Sequence, residues 1–465
     1  MNKNSHFTSI NPFTEELIGE YTAIDSLADI TYILDTMNLA QQEWARQTIE
    51  KRIEFLPILA QLLQKNADDL AQIASKEMGK LVAHAKAEVL KSASLCEYYY
   101  QNSIEILAAK KINTGNGSDV KIEKIPVGLV LGIFPWNFPY WQILRSAIPC
   151  IISGNAMLVK PAPNVSESSL ALQHILDQCE PLPKYIFNTC FLNNEVIETC
   201  IAMPQIRAVT FTGSTITGAH IASIAGKNIK PMVLELGGSD PLILLDDVNL
   251  PEVIDEILFS RFQNNGQSCV AAKRFLVHSN LLTDFLTLTK QKLAAYKIGN
   301  PQEIGINIGP LARKDLLENL KKQVQESISS GAKLYWQHEH VPANGYFFPP
   351  TILTNIPDNN IAAQEELFGP VLTVFEFSSE QELIAIANNT SFGLGASIFT
   401  KDVSKAERIA AEIESGMVYI NQMVKSDPKI PFGGIKNSGF GRELGPEGLL
   451  AFCQTKTTWL KKSIE

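Results

Sequence analysis

Two kinds of periodicity divide the chain. From residue 44 to 109, apolar residues recur at helical spacing, as at Phe55, Ile58, Leu59 and Leu62. From 127 to 237, short apolar runs alternate with amphipathic segments. The runs at 127–134, 156–159, 185–191, 206–211 and 232–236 predict strands, and the segments near 140–153, 166–180, 193–203 and 214–226 predict helices. Strand, helix, strand in repetition predicts an α/β fold, a parallel sheet covered by helices on both faces. Ligands of such sheets bind beyond the carboxyl ends of the strands. A second cycle begins at 241–245, runs through a helix at 250–262 and continues past 275–277, with the switch at Gly237 and Gly238. Two alternating segments stand apart, at 120–125 after a Gly/Asn-rich stretch (114–118) and at 455–460. Detached strands of this kind are expected to pair across a subunit contact.

Composition narrows the class. A chain of 465 residues is too long for one ordinary core and implies about two or three domains. With 45% hydrophobic and 19% charged residues it has the balance of a folded protein. A net charge of −9 disfavours nucleic acid as a partner. Residues 1–12 lack the basic start and apolar run of a signal peptide. The apolar stretch 127–144 is broken by Pro135, Asn137, Pro139 and Gln142 and followed by Arg145, so it predicts a buried strand, a loop and a helix start rather than a membrane span. The seven cysteines are odd in number and hold no pair spaced two or four apart. That pattern disfavours zinc, a redox pair or a disulfide framework, and it implies a reducing, cytoplasmic compartment.

One cysteine differs from the rest. Cys269 ends the polar, Gly-bearing segment Gln263-Asn264-Asn265-Gly266-Gln267-Ser268, after the helix expected at 250–262. A free cysteine is ordinarily a small buried hydrophobe, and that reading suits Cys150, Cys179, Cys190, Cys200 and Cys453, whose neighbours are mostly apolar. A thiol among amides near a helix end fits a nucleophile better. Glu235 closes an apolar strand before Gly237 and Gly238; it is either a satisfied structural carboxylate or, facing a nucleophile, a general base. Asn137 sits between Pro135 and Pro139, held for a helix N-cap or as an oxyanion donor. After the run 206–211, Gly213 permits a tight turn and Ser214 can cap a helix whose N-terminus faces a pyrophosphate. Lys160 ends another strand, as a surface lysine or a ribose or phosphate ligand, and the segment 364–370 reads as an acidic loop beside an aromatic.

Together these segments resemble the aldehyde dehydrogenase superfamily. The matches are PWNFP at 135–139, KPA at 160–162, FTGS at 211–214, LELGG at 234–238, GQSC at 266–269, EELFGP at 365–370, PFGG at 431–434 and SGFGRE at 438–443, in the family's order over nearly the whole chain. The resemblance implies a Rossmann-like cofactor domain in 1–110 and 127–237, a catalytic domain in 238–445, and a small β oligomerisation element in 111–126 and 446–465. It implies a homodimer or homotetramer, an aldehyde substrate, NAD or NADP as cofactor, and no metal. Cys269 is then the nucleophile and Glu235 the base for the deacylating water, with Asn137 and the Cys269 N–H as oxyanion donors. Trp136, Lys160, Gly213, Ser214, Glu366 and Phe368 belong to the cofactor site. Pro163 stands where many relatives carry a ribose-binding glutamate, which leaves the choice between NAD⁺ and NADP⁺ open.

Within the superfamily the likeness is greatest to bacterial-type succinate-semialdehyde dehydrogenases. It rests on Trp141 and Gln142 before Arg145, on residues 162–165, and on residues 271–274. Arg145, about two helical turns after Asn137, resembles their carboxylate-binding arginine and Ser426 their carboxylate-binding serine. A structural ion pair is the competing role for Arg145. Gln263 stands where some relatives carry a second arginine, so the carboxylate is expected to be held less tightly. Another semialdehyde or a small aliphatic aldehyde is the alternative substrate. Transfer of the acyl group to coenzyme A is disfavoured by Glu235, and a non-enzymatic structural role by the intact Cys269, Glu235 and Asn137.

Overall fold

The computed structural model describes residues 6–114 and 118–461. Most of the Gly/Asn-rich stretch (115–117), the first five residues and 462–465 lie outside the described residues. The expected alternation becomes a six-stranded sheet in the order Gly439–Phe440, Met232–Glu235, Ile206–Thr212, Leu129–Ile133, Ala156–Lys160, Phe187–Thr189. All its neighbours are parallel except Gly439–Phe440, which runs antiparallel to Met232–Glu235. The helices Trp141–Ile152, Ser166–Asp177, Asn194–Ala202 and Thr215–Lys227 make the crossovers within a few residues of their expected limits. The expected strand 185–191 is shorter, because Tyr185 takes a left-handed φ of 67° and only Phe187–Thr189 enters the sheet.

Strand order reverses around Leu129–Ile133, whose neighbours are Ala156–Lys160 on one side and Ile206–Thr212 on the other. The pairs Ile133↔Lys160 and Ile133↔Phe211 bring three strand ends to one level, so the turns carrying Trp136, Lys160 and Gly213 open at the same edge.

A seven-stranded sheet follows, in the order Lys333–Gln337, Thr351–Thr354, Val371–Phe377, Ala272–His278, Asp240–Leu244, Gly395–Phe399, Met417–Ile420. The change of sheet falls between Glu235 and Asp240, at the expected Gly237–Gly238 switch. One boundary differs: Gly439–Phe440 belongs to the first sheet although the sequence places 238–445 in the second unit. Gly439 makes the return possible. Its φ is 115°, and a Cβ there would come within 1.9 Å of the Leu234 carbonyl oxygen.

The two detached strands are real but pair with each other. Cys453–Lys461 runs antiparallel to Ser118–Pro126, which also pairs with Lys110–Asn113. The outer edge of Cys453–Lys461 meets no other strand among the described residues. Among those residues no helix is long and apolar enough to cross a membrane, and no group of acidic, histidine or cysteine side chains is arranged to hold a metal.

Candidate active site

Helix Leu250–Phe262 ends at Gln263, and the chain then turns through three consecutive left-handed residues: Asn264 (φ 53°), Asn265 (57°) and Gly266 (76°). Asparagine tolerates this region and glycine favours it. A Cβ at Gly266 would stand 2.4 Å from the Gly369 carbonyl oxygen, so the loop that leads to Cys269 lies directly on the turn 365–370. Arg261, fully buried, ties the two together: Nε donates to the Val371 carbonyl (2.6 Å), Nη2 to those of Leu367 (2.9 Å) and Gly369, and Nη1 to that of Gly266 (3.3 Å). Asn265 Nδ2 donates to the carbonyls of Gly79 and Pro310, both at 2.9 Å. The sequence reading assigned neither residue a role; an arginine in the last turn, on the helix face that carries Ile254, Ile257 and Leu258, was the available signal.

The loop delivers Cys269 to a cavity of about 170 Å³. Phe138, Trp141 and Phe432 form apolar walls, while Arg145, Lys91 and Ser426 supply polar groups. Five of the other cysteines are buried, and Cys453, at the start of its strand, is partly buried against the core. Burial pushes the Cys269 thiol up to about 12; Arg145 and Lys273 pull it down, and Glu366 and Glu235 add to the rise. The thiol is therefore protonated at neutral pH until a base takes its proton. Glu235 is placed to feel it. Its carboxyl is 2% exposed, neither oxygen has a hydrogen-bond partner, and burial, with Glu443 second, raises its pKa well above the usual range. A carboxylate raised in this way is a stronger base than an ordinary one.

Asn137 is not a helix cap. Its Nδ2 donates to the Gln267 carbonyl at 3.1 Å, and its own carbonyl accepts from Asn264 Nδ2 at 2.8 Å. The start of helix Trp141–Ile152 is held instead by Glu88, whose Oε1 accepts from the N–H groups of Tyr140 (2.8 Å) and Trp141 (3.0 Å). Glu88 Oε2 accepts from Lys80, which is completely buried. Asn137 is thereby fixed to the nucleophile loop with a second amide hydrogen in reserve.

Arg145 lines the cavity and also has the structural partner that was its alternative role. Its Nε lies against Glu443 Oε2, too poorly aligned for a hydrogen bond, and Nη2 is buried without a partner. Glu443 Oε1 accepts from Ser146 Oγ. The Arg145 guanidinium lies 4.8 Å from the centre of the Phe432 ring.

On the other side of Cys269, Trp136 meets Phe368 edge to face, with centroids 5.8 Å apart at 88°. Lys273, unassigned by the sequence reading, donates to the Ser268 and Cys269 carbonyls (2.9 and 2.6 Å) and pairs with Glu366 at 2.9 Å. Ser214 caps helix Thr215–Lys227 as expected, its Oγ accepting from the Thr217 N–H at 3.3 Å, and the Gly213 N–H donates to the Glu235 carbonyl at 3.0 Å. Burial pushes the Lys160 ammonium down to about 8, and its Nζ lies 5.3 Å from the centre of the Phe7 ring. Pro163 opens a short 3₁₀ turn two residues beyond Pro161.

A half-buried cysteine in a largely apolar cavity, with a buried carboxyl close enough to perturb its thiol and the switch point of a parallel sheet nearby, is a site suited to a dehydrogenase. The chain belongs to the aldehyde dehydrogenase family, whose model matches residues 1–458. It is 39% identical over 452 residues to a protein of Synechocystis named probable succinate-semialdehyde dehydrogenase [NADP(+)], covering 97% of this chain and 99% of that one. It is 38% identical over 458 residues to the succinate semialdehyde dehydrogenase [NAD(P)+] of Escherichia coli, covering 98% of each. The succinic semialdehyde dehydrogenase of Streptococcus pyogenes, solved with NADP⁺, superposes with a TM-score of 0.94 at 32% identity, over 98% of this chain and 99% of that one.

Proposed function

We propose that this enzyme oxidises succinate semialdehyde to succinate, with NADP⁺ as hydride acceptor and NAD⁺ as a second one. The observation that carries the reading is the cavity: beyond the nucleophile it is small and mostly apolar, yet cationic and hydroxyl groups line it, the arrangement required by a short aldehyde with a distal carboxylate. The names of the relatives in Synechocystis, Escherichia coli and Streptococcus pyogenes support it.

The residues across Cys269 fit a nicotinamide dinucleotide. Thr212 Oγ1 is buried without a partner at the strand end beside Gly213, and the Trp136–Phe368 wall offers an apolar face. Gly213 and Ser214 would hold the pyrophosphate, Lys160 the adenosine ribose, Glu366 the nicotinamide ribose, and Trp136 and Phe368 the nicotinamide. Pro163 brings no carboxylate to repel a 2′-phosphate, which favours NADP⁺. When bound, the dinucleotide accepts a hydride from carbon.

The chain's own groups do the rest. Cys269 loses its proton to solvent as its Sγ bonds to the aldehyde carbon. The oxyanion is held by Asn137 Nδ2 and the Cys269 N–H, a donor of this kind being worth about 3–4 kcal/mol. Loss of hydride leaves a thioester on Cys269. Glu235 then takes a proton from water, whose oxygen displaces the sulfur and releases a carboxylate. Arg145 and Ser426 position the distal carboxylate. The enzyme works as a homo-oligomer through the three-stranded sheet, whose open edge strand is an available pairing surface; its free cysteines suit a reducing, cytoplasmic compartment.

The test is NADPH and NADH formation, followed at 340 nm, over a panel of aldehydes with and without coenzyme A. Succinate semialdehyde should have the highest kcat/KM, NADP⁺ should be accepted, and coenzyme A should not accelerate turnover. A higher value for glutarate semialdehyde or butyraldehyde would reassign the substrate. Failure of NADP⁺ to support turnover would show that another residue excludes the phosphate.

A further inference from the structure

The cations around the substrate cavity are unequal. Lys80 is neutralised by Glu88, Arg145 faces Glu443, and Lys273 pairs with Glu366. Lys91, on helix Val82–Ile106, lines the same cavity as Cys269, and among the described residues no carboxylate comes within ion-pair distance of it. Its Nζ donates to Ser426 Oγ at 2.5 Å and lies 4.4 Å from the centre of the Trp141 ring, so the ammonium is fixed rather than swinging in solvent. Asp427 and Glu88 attract it from a distance, but Glu88 is already committed to Lys80 and two backbone N–H groups.

Arg145 and Glu443 cancel, as do Lys80 and Glu88. Among the described residues, Lys91 and the exposed Lys425 are the cavity-lining cations left without a carboxylate at ion-pair distance, and of these Lys91 is the one held by Ser426 and Trp141. A desolvated cation without a counter-ion is unfavourable, and a monovalent anion beside it relieves the cost. Gln263, which lines the same cavity, is a neutral amide and brings no second positive charge to it.

The geometry points to Lys91 as a substrate-binding residue that grips the distal carboxylate together with Ser426, supplying the positive charge that Arg145, shared with Glu443, gives only in part. This rests on the semialdehyde reading above. The weaker grip expected from Gln263 is thereby made good from a helix some 170 residues earlier in the chain.

The experiment compares succinate semialdehyde with butyraldehyde, an uncharged aldehyde of the same chain length, in the wild type and in Lys91→Met, Lys91→Gln and Lys91→Arg. Lys91→Met should lose about ten- to a hundredfold in kcat/KM on succinate semialdehyde, chiefly through KM, with butyraldehyde nearly unchanged. Lys91→Gln should lose a similar factor while keeping a hydrogen bond to Ser426, and Lys91→Arg should recover most of it. Equal losses on both aldehydes in both neutral variants, with a lowered melting temperature, would make Lys91 a structural support for the Ser426 loop and overturn the proposal. An unchanged KM for succinate semialdehyde would overturn it too. If the wild type itself does not prefer succinate semialdehyde to butyraldehyde, the substrate reading falls and takes Lys91 with it. If the wild type has the preference and Lys91→Met keeps it, only the role of Lys91 falls.

Discussion

Polar groups behind and in front of the nucleophile loop are treated in opposite ways. Behind it, Arg261 and Arg274 direct Nε, Nη1 and Nη2 to backbone carbonyls, and Asn265 serves two carbonyls and the Gly309 N–H. In front, Asn137 Oδ1, Gln142 Oε1, Trp141 Nε1, Arg145 Nη2 and both Glu235 oxygens are buried with no hydrogen-bond partner from the protein. Native interiors rarely leave buried polar atoms unmet. The satisfied set fixes the loop; the unsatisfied set marks where reacting groups and substrate complete the structure. A cost of stability on one side and of selectivity or rate on the other is the expected signature.

The largest test lies on the front side. Cys269→Ala should abolish dehydrogenase activity while Cys150→Ala, in the core beside it in type only, should not; appreciable NADPH formation by purified Cys269→Ala would end the mechanism. Glu235→Gln should lower steady turnover about a hundredfold or more but still form the thioester, giving one burst of NADPH per site in stopped flow. Unchanged steady turnover would mean that another group activates the water.

The back side is tested by Arg261→Met. Four carbonyls lose their donor at once, so stability should fall by about 3 kcal/mol or more, read as a lower urea midpoint at unchanged slope. A loss under about 1 kcal/mol would erase the contrast between the two sides. Arg145→Ala should lower kcat/KM for succinate semialdehyde about ten- to a hundredfold. It should also lower butyraldehyde oxidation by a smaller factor, because Glu443 is left beside Glu235 without its cation. Equal losses would reduce Arg145 to the partner of Glu443.

The smallest effect is a pH limb. Burial, with Arg145 and Lys425 adding to it and Asp427 and Glu88 opposing, pushes the Lys91 ammonium down to about 8. The cation is present below that pH and lost above it. KM for succinate semialdehyde should therefore be flat towards neutrality and rise as pH passes about 8, while KM for butyraldehyde stays level. A Lys91→Arg enzyme should lose the limb, since arginine stays charged; its persistence there would assign the titration elsewhere.

How much of this was legible in the sequence depended on how local each signal is. Alternating runs gave the parallel strands and crossover helices of the first sheet to within a few residues, because pattern and propensity agree there. Cys269 stood out by its polar neighbours and Ser214 by its capping position. The residues that were missed act across long separations. Lys91 meets Ser426 at a distance of 335 positions, and Arg261 reaches a turn more than 100 residues on. Glu88 took the role that proximity suggested for Asn137 because it approaches helix Trp141–Ile152 from another helix altogether. A signal was present in retrospect: Glu88 and Lys91 are three apart on a helix whose neighbouring positions Ala85, Val89 and Ser92 are buried. Charges set within an apolar stripe need a partner that only the tertiary structure supplies.

That spacing also makes helix Val82–Ile106 a gauge. Glu88 grips the amides that begin helix Trp141–Ile152, a turn past Asn137, and Lys91 stands about one turn further along the same helix. One end of the gauge is thus joined to the carbonyl-binding end of the site and the other to its distal wall. Neither helix can slide past the other without breaking the two hydrogen bonds from backbone N–H groups to the Glu88 carboxylate and baring that buried charge. The span offered to a substrate is set by a side chain that belongs to the frame, so accommodating an aldehyde one carbon longer is a matter of moving helices rather than of trimming a residue in the wall.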